Sequence, residues 1–129
     1  MAKLRSDSQL KSICPDGVWW DSGDEKSKRF IVCSLIDHSD VPVFGGRAWE
    51  DYLILVKAVM LNSAGGSVGA AAARIDALLN DQPLSVGGGF GFMAMFRERR
   101  IRISESDAEN SRVRWLHRGG HYRVQVSTI

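Results

Sequence analysis

Two cysteines, three prolines and three histidines are all that this chain of 129 residues holds of the types that most often cross-link, break or metallate a small domain. With only Cys14 and Cys33 there is no disulfide framework, so a small cross-linked scaffold is not the expectation. No apolar run approaches the roughly 20 residues that cross a bilayer as a helix. Met1–Ile13 carries basic residues but no continuous apolar stretch, so it does not read as a secretory signal. The expectation is a chain that stays in the cytoplasm where it is made, with its thiols reduced and Cys33 a small core residue. No internal repeat is visible.

What is present is ordinary in amount and uneven in placement. Apolar residues make up 44% and charged residues 25%, near the globular average. The length suits one domain over residues 1–129, large enough for a real core. The net charge of +2 hides two halves: residues 1–90 hold nine basic and eleven acidic residues, residues 91–129 eight arginines against four acids. Arginine is the residue suited to interfacial and phosphate contacts, so the basic half reads as a solvated strand face or as a partner-binding face.

Leu4, Leu10 and Ile13 among polar residues predict a short amphipathic helix ending at Cys14-Pro15. Pro15-Asp16-Gly17 is a turn, and Val18-Trp19-Trp20 a short extended segment. Phe30–Ile36 is nearly all apolar and rich in β-formers, as expected of a strand buried on both faces. Asp37–Gly46 reads as a polar loop, and Trp49–Met60 as a second long strand. Val68, Ala71, Ala72, Ile75, Leu78 and Leu79 give the one clear amphipathic helix, over 65–80. Gly87-Gly88-Gly89-Phe90-Gly91 is a junction into a strand that alternates strictly from Phe90 through Ile103. Ser104–Ser111 reads as an acidic loop. The last alternating runs flank Gly119-Gly120, as a bulge in one bent strand or as a hairpin turn. The expectation is an α+β domain: a mainly antiparallel β-sheet with one long and one short helix packed on one face.

The chemistry candidates fail one by one. The glycine run opens a strand and lacks the Lys of a phosphate loop. His117 and His121 are four apart but not on a helix, and His38 with Asp37 and Asp40 supplies too few ligands for a metal site. Cys14 has no neighbouring His in sequence and Cys33 looks buried, so no activated thiol is expected. Glu50 and Asp51 point to opposite faces of a strand, which argues against shared acid–base work. No catalytic residue, cofactor or metal is therefore expected. Arginines interleaved with aromatics between Arg97 and Tyr122 leave a nucleic-acid-binding module open as the alternative, although they match no known module.

Four segments carry a resemblance: Phe30-Ile31-Val32 through Leu35-Ile36-Asp37-His38; Val43-Phe44-Gly45-Gly46-Arg47-Ala48-Trp49-Glu50; the alanine-rich helix ending Arg74-Ile75-Asp76-Ala77-Leu78-Leu79; and Trp115-Leu116-His117-Arg118-Gly119-Gly120-His121-Tyr122-Arg123-Val124. Together they resemble the tail-completion (tail terminator) proteins of long-tailed bacteriophages and related phage-like particles. The resemblance implies a small subunit without enzyme activity that forms a ring, typically hexameric, at the head-proximal end of the tail tube. It implies partners on both sides, the tail tube protein below and the head-neck connector above, with DNA passing through the lumen and no sequence-specific contact. It also implies a virion location after assembly in the host cytoplasm, with no membrane involved. A ring needs one face to complement a different face. The expected interface residues are Asp37, His38, Asp40, Phe44, Arg47, Glu50, Arg99, Arg100, Arg102 and Arg118. Arginines of one subunit would then face acids such as Asp37, Asp40, Glu50 or Asp51 of the next.

Overall fold

The computed structural model describes residues 2–21, 28–43, 46–61, 68–82, 90–106 and 114–128. Three helices and five strands follow in the order α1 (Ala2–Arg5), α2 (Ser8–Ile13), β1 (Val18–Trp20), β2 (Arg29–Val43), β3 (Gly46–Leu61), α3 (Val68–Leu79), β4 (Phe90–Ser106) and β5 (Arg114–Thr128). One sheet holds all five strands in the order β1-β2-β3-β5-β4 and curls into a half-barrel. Among the described strands only the β1–β2 pair is parallel.

The expectation of one long and one short helix is corrected. The helices are short, with 4, 6 and 12 residues, and the sheet dominates. The N-terminal segment breaks into two because Asp7 caps a fresh start: its Oδ2 accepts from the Leu10 amide at 3.0 Å. Leu4 and Leu10 stay on the core side of both pieces. The turn at Pro15-Asp16-Gly17 sits where the sequence places it. Gly17 has φ +98°, and the Asp16 carboxylate accepts from the amides of Lys28 and Arg29, tying the turn to the start of β2.

Most of the polar Asp37–Gly46 stretch is strand rather than loop. β2 runs on to Val43 and pairs with β3 from Asp37↔Leu53 to Val43↔Gly46, after a register shift between Leu35 and Asp37. None of the described helices covers this end, and Leu35 to Ser39 are all exposed. A strand that meets water on both faces needs no apolar alternation to hold its backbone ladder. For the same reason Phe30–Ile36 is buried on both faces only as far as Cys33; Leu35 and Ile36 are about half exposed. β4 likewise continues through Ser104–Ser106, where a loop is expected.

α3 covers the middle of one sheet face. Val68, Ala71, Ile75 and Leu79 join one core cluster with Ala58, Met60, Tyr122 and Val124 of β3 and β5. Among the described residues the opposite face carries a small cluster of Phe30, Val32 and Val59 with Trp115. Gly119 and Gly120 form no turn. β5 runs through them with Gly119 opposite Lys57 and Gly120 opposite Val56 and Arg100. A Cβ at Gly119 would collide with the Val56 carbonyl oxygen and the Lys57 backbone, so the glycine permits the close approach of β3 and β5.

Candidate functional site: an arginine groove between α3 and the β4–β5 ladder

Strict alternation along β4 would put Arg97, Arg99 and Ile101 on one face. The strand instead carries two register shifts, between Phe92 and Ala94 and between Arg97 and Arg99. Each extra residue exchanges the two faces for the rest of the strand. Phe92 and Met95 therefore both reach the core beneath α3. Arg97 (opposite Tyr122), Arg100 (opposite Gly120) and Arg102 (opposite Arg118) come next on the same side. Arg99, opposite His121, is turned to the other face.

The result is an open groove of about 510 Å³ with Gly69, Ala72 and Ala73 of α3 along one wall and Arg97, Arg100, Arg102 and Arg118 along the other. At its floor the Tyr122 hydroxyl donates to Asp76 Oδ1 at 3.0 Å, and Arg97 Nη1 lies 2.7 Å from Asp76 Oδ2. Burial first, and Asp76 second, push the Tyr122 phenol well above its usual range, so it stays a neutral donor. The Arg97 amide donates to Asn80 Oδ1 at 2.8 Å and the Asp81 amide to the Met95 carbonyl at 2.9 Å, which locks the C-terminal end of α3 to β4. At the other end Arg118 reaches Gly69: a Cβ there would sit 3.2 Å from Nη1. Asp76 is the single acid among the groove's lining residues. Arg100, Arg102 and Arg118 have no carboxylate partner among the described residues.

The uncovered end of the β2–β3 hairpin holds most of the other expected interface residues. His38 stacks on Tyr52 with centroids 4.4 Å apart and planes 9° from parallel. Its Nε2 is 3.7 Å from Glu50 Oε1, and the Tyr52 hydroxyl donates to Glu50 Oε2 at 2.9 Å. Glu50 is buried, so it braces the hairpin from inside, whereas Asp37 is exposed. Asp40 and Arg47 lie in paired strand positions, and Phe44 lies outside the described residues. The expected interface set is thus split between two places, the groove (Arg100, Arg102, Arg118) and the hairpin end, with Arg99 in neither.

Glu50 and Asp51 part to opposite faces. Asp51 accepts from Arg123 Nη1 at 2.9 Å, and Glu98 takes the same guanidinium through Nη2 at 2.9 Å. Both cysteines are free and buried, and burial pushes their thiols up to about 11, far from a reactive thiolate at neutral pH. His117 is buried on the face away from α3. Desolvation and the nearby Lys57 lower its pKa, while Glu105 Oε1 lies 3.1 Å from Nε2. No group of three metal-ligating side chains converges among the described residues. The groove itself is not legible from the alternating pattern. The one signal for it is the adjacent pair Arg99-Arg100, which no single strand face can hold.

Compared with solved structures, the chain is similar in fold to a chain of a particle described as the virion of a native gene transfer agent. The TM-score is 0.68 at 19% sequence identity, over 98% of this chain and 90% of that one. At that identity the likeness establishes the fold. No protein-family model matches the chain, and no curated protein matches it.

Proposed function

We propose that this chain is a structural protein of a phage-like virion: a tail terminator that closes into a ring, a hexamer by the resemblance, at the head-proximal end of the tail tube. There it stops tube growth and docks to the head-neck connector, a role that asks for surfaces rather than catalysis. The observation that carries the reading is the fold likeness to a chain of a gene transfer agent virion along almost the whole length of both chains. Two further features support it. Among the described residues the sheet has two open edges of different character, β4 with its arginines and β2 beyond Cys33 with Asp37, His38 and Asp40. Unlike edges suit the head-to-tail contact from which rings are made.

The test is assembly with and without the chain. Particles made without it should carry tubes of uncontrolled length in negative-stain micrographs, and the purified chain should restore a single length. Tails of normal length, joined to heads in its absence, overturn the reading. The nucleic-acid-binding alternative draws on the three groove arginines that lack a carboxylate partner among the described residues. It requires the chain to bind DNA as a monomer, with affinity that falls steeply as salt rises.

A further inference from the structure

The groove arginines form an arrangement that repels itself. Arg102 and Arg118 are cross-strand partners on the face toward α3, and like charges directly opposite on a sheet destabilise it. Arg100, two residues earlier on the same face, adds a third positive charge, while the nearby carboxylate of Asp76 is already taken by Arg97 and Tyr122. The facing wall is built of the small residues Gly69, Ala72 and Ala73, with the Arg118 guanidinium lying close to Gly69. We infer that this groove receives an extended acidic segment of a second copy of the chain, Glu105-Ser106-Asp107-Ala108-Glu109. The inference rests on the reading of the chain as a self-assembling subunit, and it names the contact.

Spacing agrees with charge. Arg100 and Arg102 are two residues apart on one strand, so their side chains recur at about 6.8 Å. An extended segment with acids at every second position, as at Glu105, Asp107 and Glu109, presents carboxylates at the same interval. Each guanidinium fork can take one carboxylate in a two-bond pair. Glu105 is available for this: it is exposed, and the histidine beside it, His117, is held neutral at pH 7 by burial and Lys57. A nucleic-acid strand fits less well. The one aromatic lining the groove, Tyr122, is buried and offers no face on which a base could stack. Because the contact joins two different elements, it can pass from copy to copy around a ring.

The test uses the full chain with its own acids removed (Glu105→Gln, Asp107→Asn, Glu109→Gln), so that its grooves are vacant. A fluorescent peptide of residues 103–111 is titrated into it at about 50 mM salt, where screening is weak. Saturable binding is expected. Adding Arg100→Ala, Arg102→Ala and Arg118→Ala should weaken it roughly tenfold, as the loss of three exposed ion pairs allows. Arg102→Gln alone should give a smaller loss, and Arg99→Ala, on the opposite face, none. The proposal is overturned if a peptide with its acids amidated binds equally well. It is also overturned if Arg99→Ala weakens binding as much as the triple change, or if an oligothymidylate displaces the peptide more tightly than unlabelled peptide does. Light scattering on the unaltered chain separates this from the ring reading. A ring without peptide binding removes the groove contact and keeps the ring, whereas peptide binding by a chain that stays monomeric does the reverse.

Discussion

Arg74, Arg97 and Arg123 differ from Arg100, Arg102 and Arg118 in one respect, the presence of a carboxylate on another element. Arg74 grips Asp7 through two bonds, at 2.7 and 3.0 Å, and joins α3 to the cap of α2. Arg97 joins β4 to α3 through Asp76, and Arg123 joins β5 to Asp51 on β3 and Glu98 on β4. These three are tie-bars whose charge is spent inside the subunit. The other three crowd one groove with no carboxylate among the described residues to neutralise them, which is the charge the proposed contact uses. Residues of one type thus do opposite work, and Arg97 and Arg100 do so within a single groove.

That comparison can be broken from either side. The largest effect should come from the frame both groups share: Gly119→Ala forces β3 and β5 apart and should cost roughly 3 kcal/mol in denaturant unfolding. An unchanged midpoint would mean that the strands have room to spare. Next is Asp76→Ala, which strands Arg97 and the Tyr122 hydroxyl together and should cost about 2 kcal/mol. Tyr122→Phe in that background should then cost little more, because its hydroxyl has already lost its acceptor.

The Asp7–Arg74 tie-bar is read by pH. The Arg74 hydrogen bond holds the Asp7 carboxyl below its ordinary value of 3.8, so its contribution is present above that pH and lost as pH falls through the lower, folded value. Asp7→Asn keeps the cap but removes the charge, and should flatten the acid limb of a stability-versus-pH curve while leaving its shape above about pH 5 alone, roughly one unit above the ordinary value. An acid limb as steep as that of the unaltered chain would show that the pair contributes nothing. The smallest effect belongs to the groove group. Arg102→Gln or Arg118→Gln should change stability by about 0.5 kcal/mol or less, in the stabilising direction at low salt. A clear loss would place these arginines with the tie-bars.

Much of the framework was legible in the residues. β-branched and apolar runs mark β2 as far as Ile36 and the centre of β3, and the three-and-four spacing from Val68 to Leu79 marks α3. Burial imposes those patterns, so they can be read back from them. From Asp37 onward β2 was not legible, because polar side chains such as Asp37, His38 and Ser39 face water and only the ladder to β3 makes it a strand. The groove was hidden for a different reason. Register shifts are decided by which residues oppose one another across two strands, and a single strand does not carry that information.

By itself, then, the sequence determined the class of residues in the core, the one amphipathic helix, the glycine turn at Gly17 and the surplus of arginine after residue 90. Local propensity and the periodicity of burial are properties of the chain alone. Tertiary structure alone decided which arginines are neutralised and which stand together. A guanidinium's partner is set by distances between elements far apart in sequence, and two extra residues in β4 were enough to bring Arg97 to the α3 side beside Arg100 and Arg102.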